Sequence, residues 1–186
     1  MIILYPTDTV YGLGAVADDP AAIATLKELK GRDGGKPISI AVSDVEMLRK
    51  YAEVTPLAER LIKKFLPGKL TIVLNAKDVL EGLTAGTGTI GIRIPNNEKA
   101  LALIKETGKP LTATSANVSG MPTEQTPEKI LAQFGDKASL ITQVIDAGEL
   151  PKSEPSTVVD ARGETPIIIR EAAISKEKIL HSLATQ

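Results

Sequence analysis

A chain of 186 residues suits one compact domain spanning 1–186, and its 42% hydrophobic and 24% charged residues are the profile of a soluble globular protein. Lys and Arg total 22 against 23 Asp and Glu, a net charge of −1, which counts against bulk electrostatic attraction to nucleic acid. With no Cys, no Trp and one His, His181, the composition excludes a disulfide scaffold, a thiol nucleophile and a thiolate or multi-histidine metal site, and it disfavours a base-stacking platform.

The opening Met-Ile-Ile-Leu-Tyr-Pro has no basic leader, and no stretch approaches the roughly 20 apolar residues of a membrane span. The expected address is the cytoplasm, with no membrane partner. Ile2 to Tyr5 reads as a strand ended by Pro6. Asp19-Pro20 opens a helix, Asp as N-cap and Pro in the first turn, with Ile23, Leu26 and Leu29 on its apolar face toward Lys30. A Gly-rich loop from Gly31 to Pro37 follows, then a strand from Ile38 to Val42. Ser43 caps a helix through Tyr51, and Thr55-Pro56 starts another to Phe65, broken by Pro67-Gly68. Leu70 to Leu74 is a buried strand.

Ile90, Ile92 and Ile94 alternate with Gly91 and Arg93, so the isoleucines face the core and Arg93 the opposite side. A helix is expected over Asn97–Thr107, a short strand over Leu111–Thr114, and a helix from Thr126-Pro127 to Phe134. Thr142–Asp146, Thr157–Asp160 and Ile167–Arg170 read as strands, and Ser175 caps a last helix through Leu183. Strands alternate with helices without repeats, but some strands join without one. The expected architecture is a single α/β domain built on a twisted mixed sheet flanked by helices.

Taken singly, the polar motifs are weak. Gly86-Thr87-Gly88-Thr89-Ile90-Gly91 fits a dinucleotide pattern, but a strand follows where that motif needs a helix, so it is read as a Gly-rich loop. Gly35-Lys36 is followed by Pro37 where a P-loop requires Ser or Thr. Lys30, Arg32 and Lys36 are either a solvated helix end or an anion cradle in which Gly lets the backbone approach phosphate. The stretch from Leu111 to Gly120 is dense in small hydroxyl residues after a strand, where α/β ligands bind, although Ser and Asn are also ordinary turn residues. Ser115 has no His partner for a triad. His181 is expected on the surface. Arg93 and Arg170 read plainly as exposed arginines with stems lying on the sheet.

In order and together, these pieces resemble the YrdC-type threonylcarbamoyl-AMP synthase family. The matching blocks are Tyr5 to Gly14, Lys30-x-Arg32, Lys36-Pro37, Pro67 to Thr71, Arg93-x-Pro95, Ser115-Ala116-Asn117-x-Ser119-Gly120, Ser156 to Asp160, and Arg170. The resemblance implies a YrdC-like fold with a concave cationic cleft. It implies an enzyme that condenses L-threonine, bicarbonate and ATP into threonylcarbamoyl-AMP and pyrophosphate. A tRNA threonylcarbamoyl transferase complex then modifies position 37 of tRNA. Carried over by motif position, Thr9, Arg93, Ala113 (through its backbone) and Ser156 hold threonine, with Arg93 on its carboxylate. Lys30, Arg32, Lys36, Ser115 and Asn117 are the catalytic set. Lys30 faces the threonine or carbamate side, and Arg32, Lys36, Thr89, Ser115, Asn117, Thr123 and Arg170 line the ATP site. No protein metal site is implied, and Mg²⁺ is expected to ride on ATP. The residue types agree with this chemistry, since three anionic substrates meet cations and hydroxyls.

The sequence departs from the family pattern in three places. Only five residues precede Pro6, where the family usually has a helix and a longer strand. Lys69 stands where Pro is usual, and there is no counterpart to the second C-terminal domain of longer relatives. Two other readings use the same residues: a non-catalytic double-stranded RNA or tRNA binding module, for which weak RNA contact through the basic cleft would suffice, and a carbamoyl-adenylate-handling paralogue with another acceptor.

Overall fold

In the computed structural model, which describes residues 1–31, 35–77 and 81–184, the first apolar run forms strand β1 (Ile2–Tyr5) with all four residues buried. Both its faces are covered. Ile2 and Leu4 join the main core, whereas Ile3 and Tyr5 join a second apolar cluster with Leu103, Ile104 and Leu111. A continuous rather than alternating apolar run is what such a strand needs. It pairs antiparallel with β2 (Gly12–Ala15) and parallel with β8 (Gln143–Val144). With β7 (Thr114–Ser115) beside β2, the order of this small sheet is β7-β2-β1-β8.

The larger sheet contains β3 (Ile40–Ala41), β4 (Leu70–Asn75), β5 (Thr89–Arg93), β6 (Leu111–Thr112), β9 (Thr157–Asp160) and β10 (Ile167–Arg170). Its order is β10-β9-β4-β5-β3-β6. It is mixed: β3 runs parallel to β5 and β4 parallel to β9, and the other neighbours are antiparallel. One face, carrying Ile72, Leu74, Ile90 and Ile92, packs on the main core.

The helices start where short polar side chains can accept orphan amides. Asp19 caps α1 (Pro20–Lys30) through Ala22 N at 3.0 Å, and Gly31 ends it with φ 57°. Thr55 caps α3 (Pro56–Phe65), Asn97 caps α5 (Glu98–Thr107) and Thr126 caps α6 (Pro127–Phe134). At α2 (Val45–Tyr51) the cap is Asp44, one residue later than expected: its carboxylate accepts from Met47 N at 2.8 Å and from the Ser43 hydroxyl at 2.7 Å. A short α4 (Glu81–Thr84) and a 3-10 turn (Gly135–Leu140) were not expected, and α7 (Lys176–Ala184) closes the described chain. No helix among the described residues is long and apolar enough to cross a membrane.

The α/β class with mixed sheets matches expectation, but the strands divide between two sheets. The expected strand over 111–114 is two strands: β6 belongs to the large sheet and β7 to the small one, with Ala113 between them. The Ala113 amide still donates to Ser39 O at 2.7 Å, while the Thr112 hydroxyl accepts from Ala15 N and donates to Leu13 O. The segments expected over 38–42 and 142–146 pair as strands only at Ile40–Ala41 and Gln143–Val144. Strand β2 was not expected at all. Gly12 and Gly14 suppress its apolar pattern, and the Tyr5 ring explains them: a Cβ at Gly12 would lie 3.2 Å from the ring and one at Gly14 2.9 Å.

Candidate active site

The face of the large sheet turned away from the main core carries a row of registered residues. Arg170 pairs with Val158, Val158 with Thr71, and Arg93 with Ala41. All five line a cavity of about 290 Å³. Tyr5, Gly12, Thr114 and Ser115 of the small sheet line it too, so the two sheets form its walls. Gly91, on the same face as Arg93, makes room for the Ser39 hydroxyl, which a Cβ there would strike, and Ser39 lines the cavity.

Arg93 is the residue where the plain reading is corrected: it is 7% exposed rather than solvated. Its Nη1 donates to Thr9 Oγ1 at 3.1 Å and its Nη2 to Asp8 Oδ1 at 2.5 Å. The loop from Pro6 to Tyr11 makes this possible. The Thr7 hydroxyl donates to Val10 O at 2.7 Å, accepts from the amides of Thr9 and Val10, and sits 2.9 Å from the Thr9 hydroxyl. Thr9 is thereby buried beside Arg93. Arg170 enters from the sheet edge, donating through Nε and Nη2 to Ser156 O at 3.2 and 2.7 Å. Arg170 stays exposed, but partial desolvation against the sheet, and then the charge of Arg93, hold its guanidinium below the ordinary arginine value. The Ser156 hydroxyl in turn lies 2.7 Å from that of Thr71. Tyr5 donates to Thr112 O at 3.0 Å; burial pushes its phenol up to about 12, with the Arg93 charge opposing the rise.

A second hollow of about 300 Å³ shares Thr114 and Ser115 with the first and is lined by Lys30, Lys36, Asn117 and Ser119. Lys30, the last residue of α1, is buried rather than solvated. Its ammonium donates to Ser115 O, to Asn117 O at 2.8 Å and to Asn117 Oδ1 at 3.4 Å. Asn117 is locked from the other side as well: Ser115 Oγ donates to its Oδ1 at 2.5 Å, and its Nδ2 donates to Met121 O at 2.6 Å and Val118 O at 3.1 Å. The end of α1 and the 115–121 loop are therefore one hydrogen-bonded unit.

Of the residues selected from sequence, the structure brings Thr9, Arg93, Ala113, Ser115, Ser156 and Arg170 to the first cavity, and Lys30, Lys36, Ser115 and Asn117 to the second. Thr123 lines a third hollow of about 310 Å³, which shares Thr9 and Val10 with the first. Thr89 lies at the head of β5, its hydroxyl 2.9 Å from that of Thr87, and lines none of the three. Arg32 lies outside the described residues. His181 is exposed, as expected. Sequence reasoning missed Thr7, Asp8 and Thr71 as members of the site. For Thr71 a signal existed: the alternation that turns Leu70, Ile72 and Leu74 inward turns Thr71 outward, beside Arg93.

Among the described residues there is no group of three or more His, Cys, Asp or Glu side chains that could hold a metal ion. The arrangement supplies guanidinium, ammonium and hydroxyl donors. It can hold carboxylates and phosphates, and it offers no nucleophile paired with a base.

The chain is similar to known proteins along nearly its whole length. The model of the Sua5_yciO_yrdC family, described as "Telomere recombination", matches residues 1–172. The chain is 36% identical over 181 residues to the threonylcarbamoyl-AMP synthase of Bacillus subtilis, covering 96% of this chain and 51% of that protein. It is 39% identical over 180 residues to the putative threonylcarbamoyl-AMP synthase of Methanocaldococcus jannaschii, covering 96% and 83%. Among solved structures, that of Pyrococcus abyssi Sua5 complexed with L-threonine superposes with a TM-score of 0.91 at 36% identity, covering 98% of this chain and 53% of that one. The chain thus spans about half the length of the Bacillus and Pyrococcus relatives it matches. With the match running from residue 1 to residue 172, through every block that lines the cavities, the chain belongs to the Sua5/YciO/YrdC family.

Proposed function

We propose that this chain is an L-threonylcarbamoyladenylate synthase, using L-threonine, bicarbonate and ATP. The observation that carries the reading is the junction of the two hollows. Arg93, Thr9 and Ser156 meet in one cavity, and that cavity shares Thr114 and Ser115 with the hollow of Lys30, Lys36 and Asn117. One end suits a single carboxylate bearing a hydroxyl, and the other a polyanion. The relatives named threonylcarbamoyl-AMP synthase, and the Sua5 structure holding L-threonine, support it.

In this reading Arg93 pairs the threonine carboxylate, with Thr9, Ser156 and the Ala113 backbone around the rest of the amino acid. The threonine amine attacks the carbon of bicarbonate, losing water to give the carbamate. A carbamate oxygen then displaces pyrophosphate from the α-phosphate of ATP, leaving threonylcarbamoyl-AMP. Charge is the obstacle at each step, so positioning and electrostatic stabilisation dominate and no covalent enzyme intermediate is needed. Lys30 acts at the carbamate side. Arg32, Lys36, Ser115, Asn117, Thr123 and Arg170 serve the nucleotide, whereas Thr89, which lines none of the hollows, is left out of this reading. A Mg²⁺ ion accompanying ATP would take its ligands from phosphate and water. The adenylate passes to a transferase complex that modifies position 37 of tRNA, which sets the reaction in the cytoplasm.

A pyrophosphate-release assay omitting each substrate in turn tests the proposal. Release is expected only with ATP, threonine and bicarbonate together. Release that ignores threonine removes the threonylcarbamoyl assignment. RNA binding without any pyrophosphate release would leave the binding-module reading in its place.

A further inference from the structure

Arg93 and Asp8 are both buried, their side chains 8% and 9% exposed, yet they share only one hydrogen bond, Nη2 to Oδ1 at 2.5 Å. Arg93 Nε and Asp8 Oδ2 are buried with no hydrogen-bond partner. These are the two atoms that would complete a forked guanidinium–carboxylate pair. The fork is unmade because the guanidinium is held at a second corner, Nη1 on Thr9 Oγ1 at 3.1 Å. Arg93 lines the cavity and Asp8 does not. A carboxylate therefore stands behind the ligand-facing cation, touching it at one point and balancing its charge.

We propose that Asp8 is a positioning residue for the amino-acid end of the cavity. It fixes the plane of the Arg93 guanidinium and keeps that cation compensated in the absence of ligand, without touching the ligand itself. This rests on Arg93 taking the threonine carboxylate. The opposing possibility is electrostatic: Asp8 would be a rival anion that weakens the hold of Arg93 on any carboxylate. The two predict opposite signs. Loss of orientation weakens binding, because a buried donor displaced by an ångström no longer meets its acceptor. Loss of a rival tightens it.

Calorimetric titration of Asp8→Ala and Asp8→Asn with L-threonine and with ATP decides between them. Asp8→Ala is expected to weaken threonine binding about tenfold or more, while ATP binding in the absence of threonine changes by less than about twofold. Asp8→Asn, which keeps an acceptor at the Oδ1 position, restores most of the loss. In an Arg93→Ala background the Asp8→Ala change costs no further threonine affinity, since Asp8 acts only through Arg93. Tighter threonine binding, or an equal loss in the Arg93→Ala background, overturns the proposal. A ligand-free readout separates this from the functional reading and covers any variant that folds poorly. In the ¹⁵N spectrum of the unsubstituted protein the Arg93 guanidinium rotates slowly, and in Asp8→Ala it rotates freely. Unhindered Arg93 rotation in the unsubstituted protein, or rotation unaltered by the substitution, overturns it also. If threonine fails to bind the unsubstituted protein, the functional reading falls, and the spectra still decide the role of Asp8.

Discussion

The two buried cations of the site are compensated in different ways. Arg93 is matched by a carboxylate, Asp8, whereas Lys30 is surrounded by the carbonyl oxygens of Ser115 and Asn117 and the Asn117 side chain. A carboxylate cancels a unit charge. Carbonyl dipoles solvate an ammonium through its N–H groups. The Arg93 wall therefore offers directed N–H groups whose orientation is fixed by a carboxylate, which suits one carboxylate of a ligand. The Lys30 wall sets its ammonium among carbonyl oxygens, with Lys36 lining the same hollow, which suits a chain of phosphates. The two buried cations thus stand in different settings, one against a carboxylate and one among carbonyl oxygens.

The largest effect expected from this contrast is at Arg93. Arg93→Met leaves Asp8 buried without a counter-ion and should cost about 3–5 kcal/mol of stability. Adding Asp8→Asn should recover much of that loss without restoring threonine binding. Urea unfolding of the single and double variants measures it, and a double variant no more stable than the single would break the contrast. Lys30→Met comes next. It keeps a stem of similar length but strands neutral carbonyls instead of a charge, so about 1.5–3 kcal/mol is expected. An unfolding loss equal to that of Arg93→Met would show that the carbonyl cage is as demanding as the ion pair. Tyr5→Phe is the mildest, removing one bond to Thr112 O at about 1 kcal/mol. Its signature is in alkali. The folded Tyr5 phenol titrates near 12 against an ordinary 10, so the protonated form is the one the fold favours. The stability it contributes is fully present below pH 10 and is lost as pH rises through about 12. Unfolding curves across that range should fall for the natural residue and lack this component in the Phe variant. Because the Arg93 charge lowers the Tyr5 value, Arg93→Met should push the alkaline loss to still higher pH.

How far this contrast could be read from sequence depends on whether its cause is local. The outward face of Arg93 follows from the alternation of Ile90, Ile92 and Ile94 around it, and the helix starts at Asp19, Thr55, Asn97 and Thr126 follow from cap chemistry. The Asp8–Arg93 pair joins residues 85 apart, and nothing near either one announces the other. Lys30 reads as an ordinary C-terminal cation of α1, and its burial depends on a loop 85 and more residues away. The split at Ala113 is equally non-local. Leu111 to Thr114 has the composition of one short strand, and only the pairing of Thr114 with Leu13 and of Thr112 with Ile40 assigns its halves to different sheets.

The Tyr5 ring reaches over Gly12 and Gly14 on the neighbouring strand, and this has a consequence for how the protein can change over generations. One aromatic occupies the space of three side chains, so positions 5, 12 and 14 form a single unit of inheritance. An alanine at 14 meets the ring at 2.9 Å and is blocked while Tyr5 remains; it becomes admissible once position 5 has shrunk, and a return to tyrosine is then blocked in turn. Substitution here is path-dependent. Lineages that took the first step at position 5 would have to restore glycine at 14 before tyrosine could return, in a strand pair that forms one wall of the cavity.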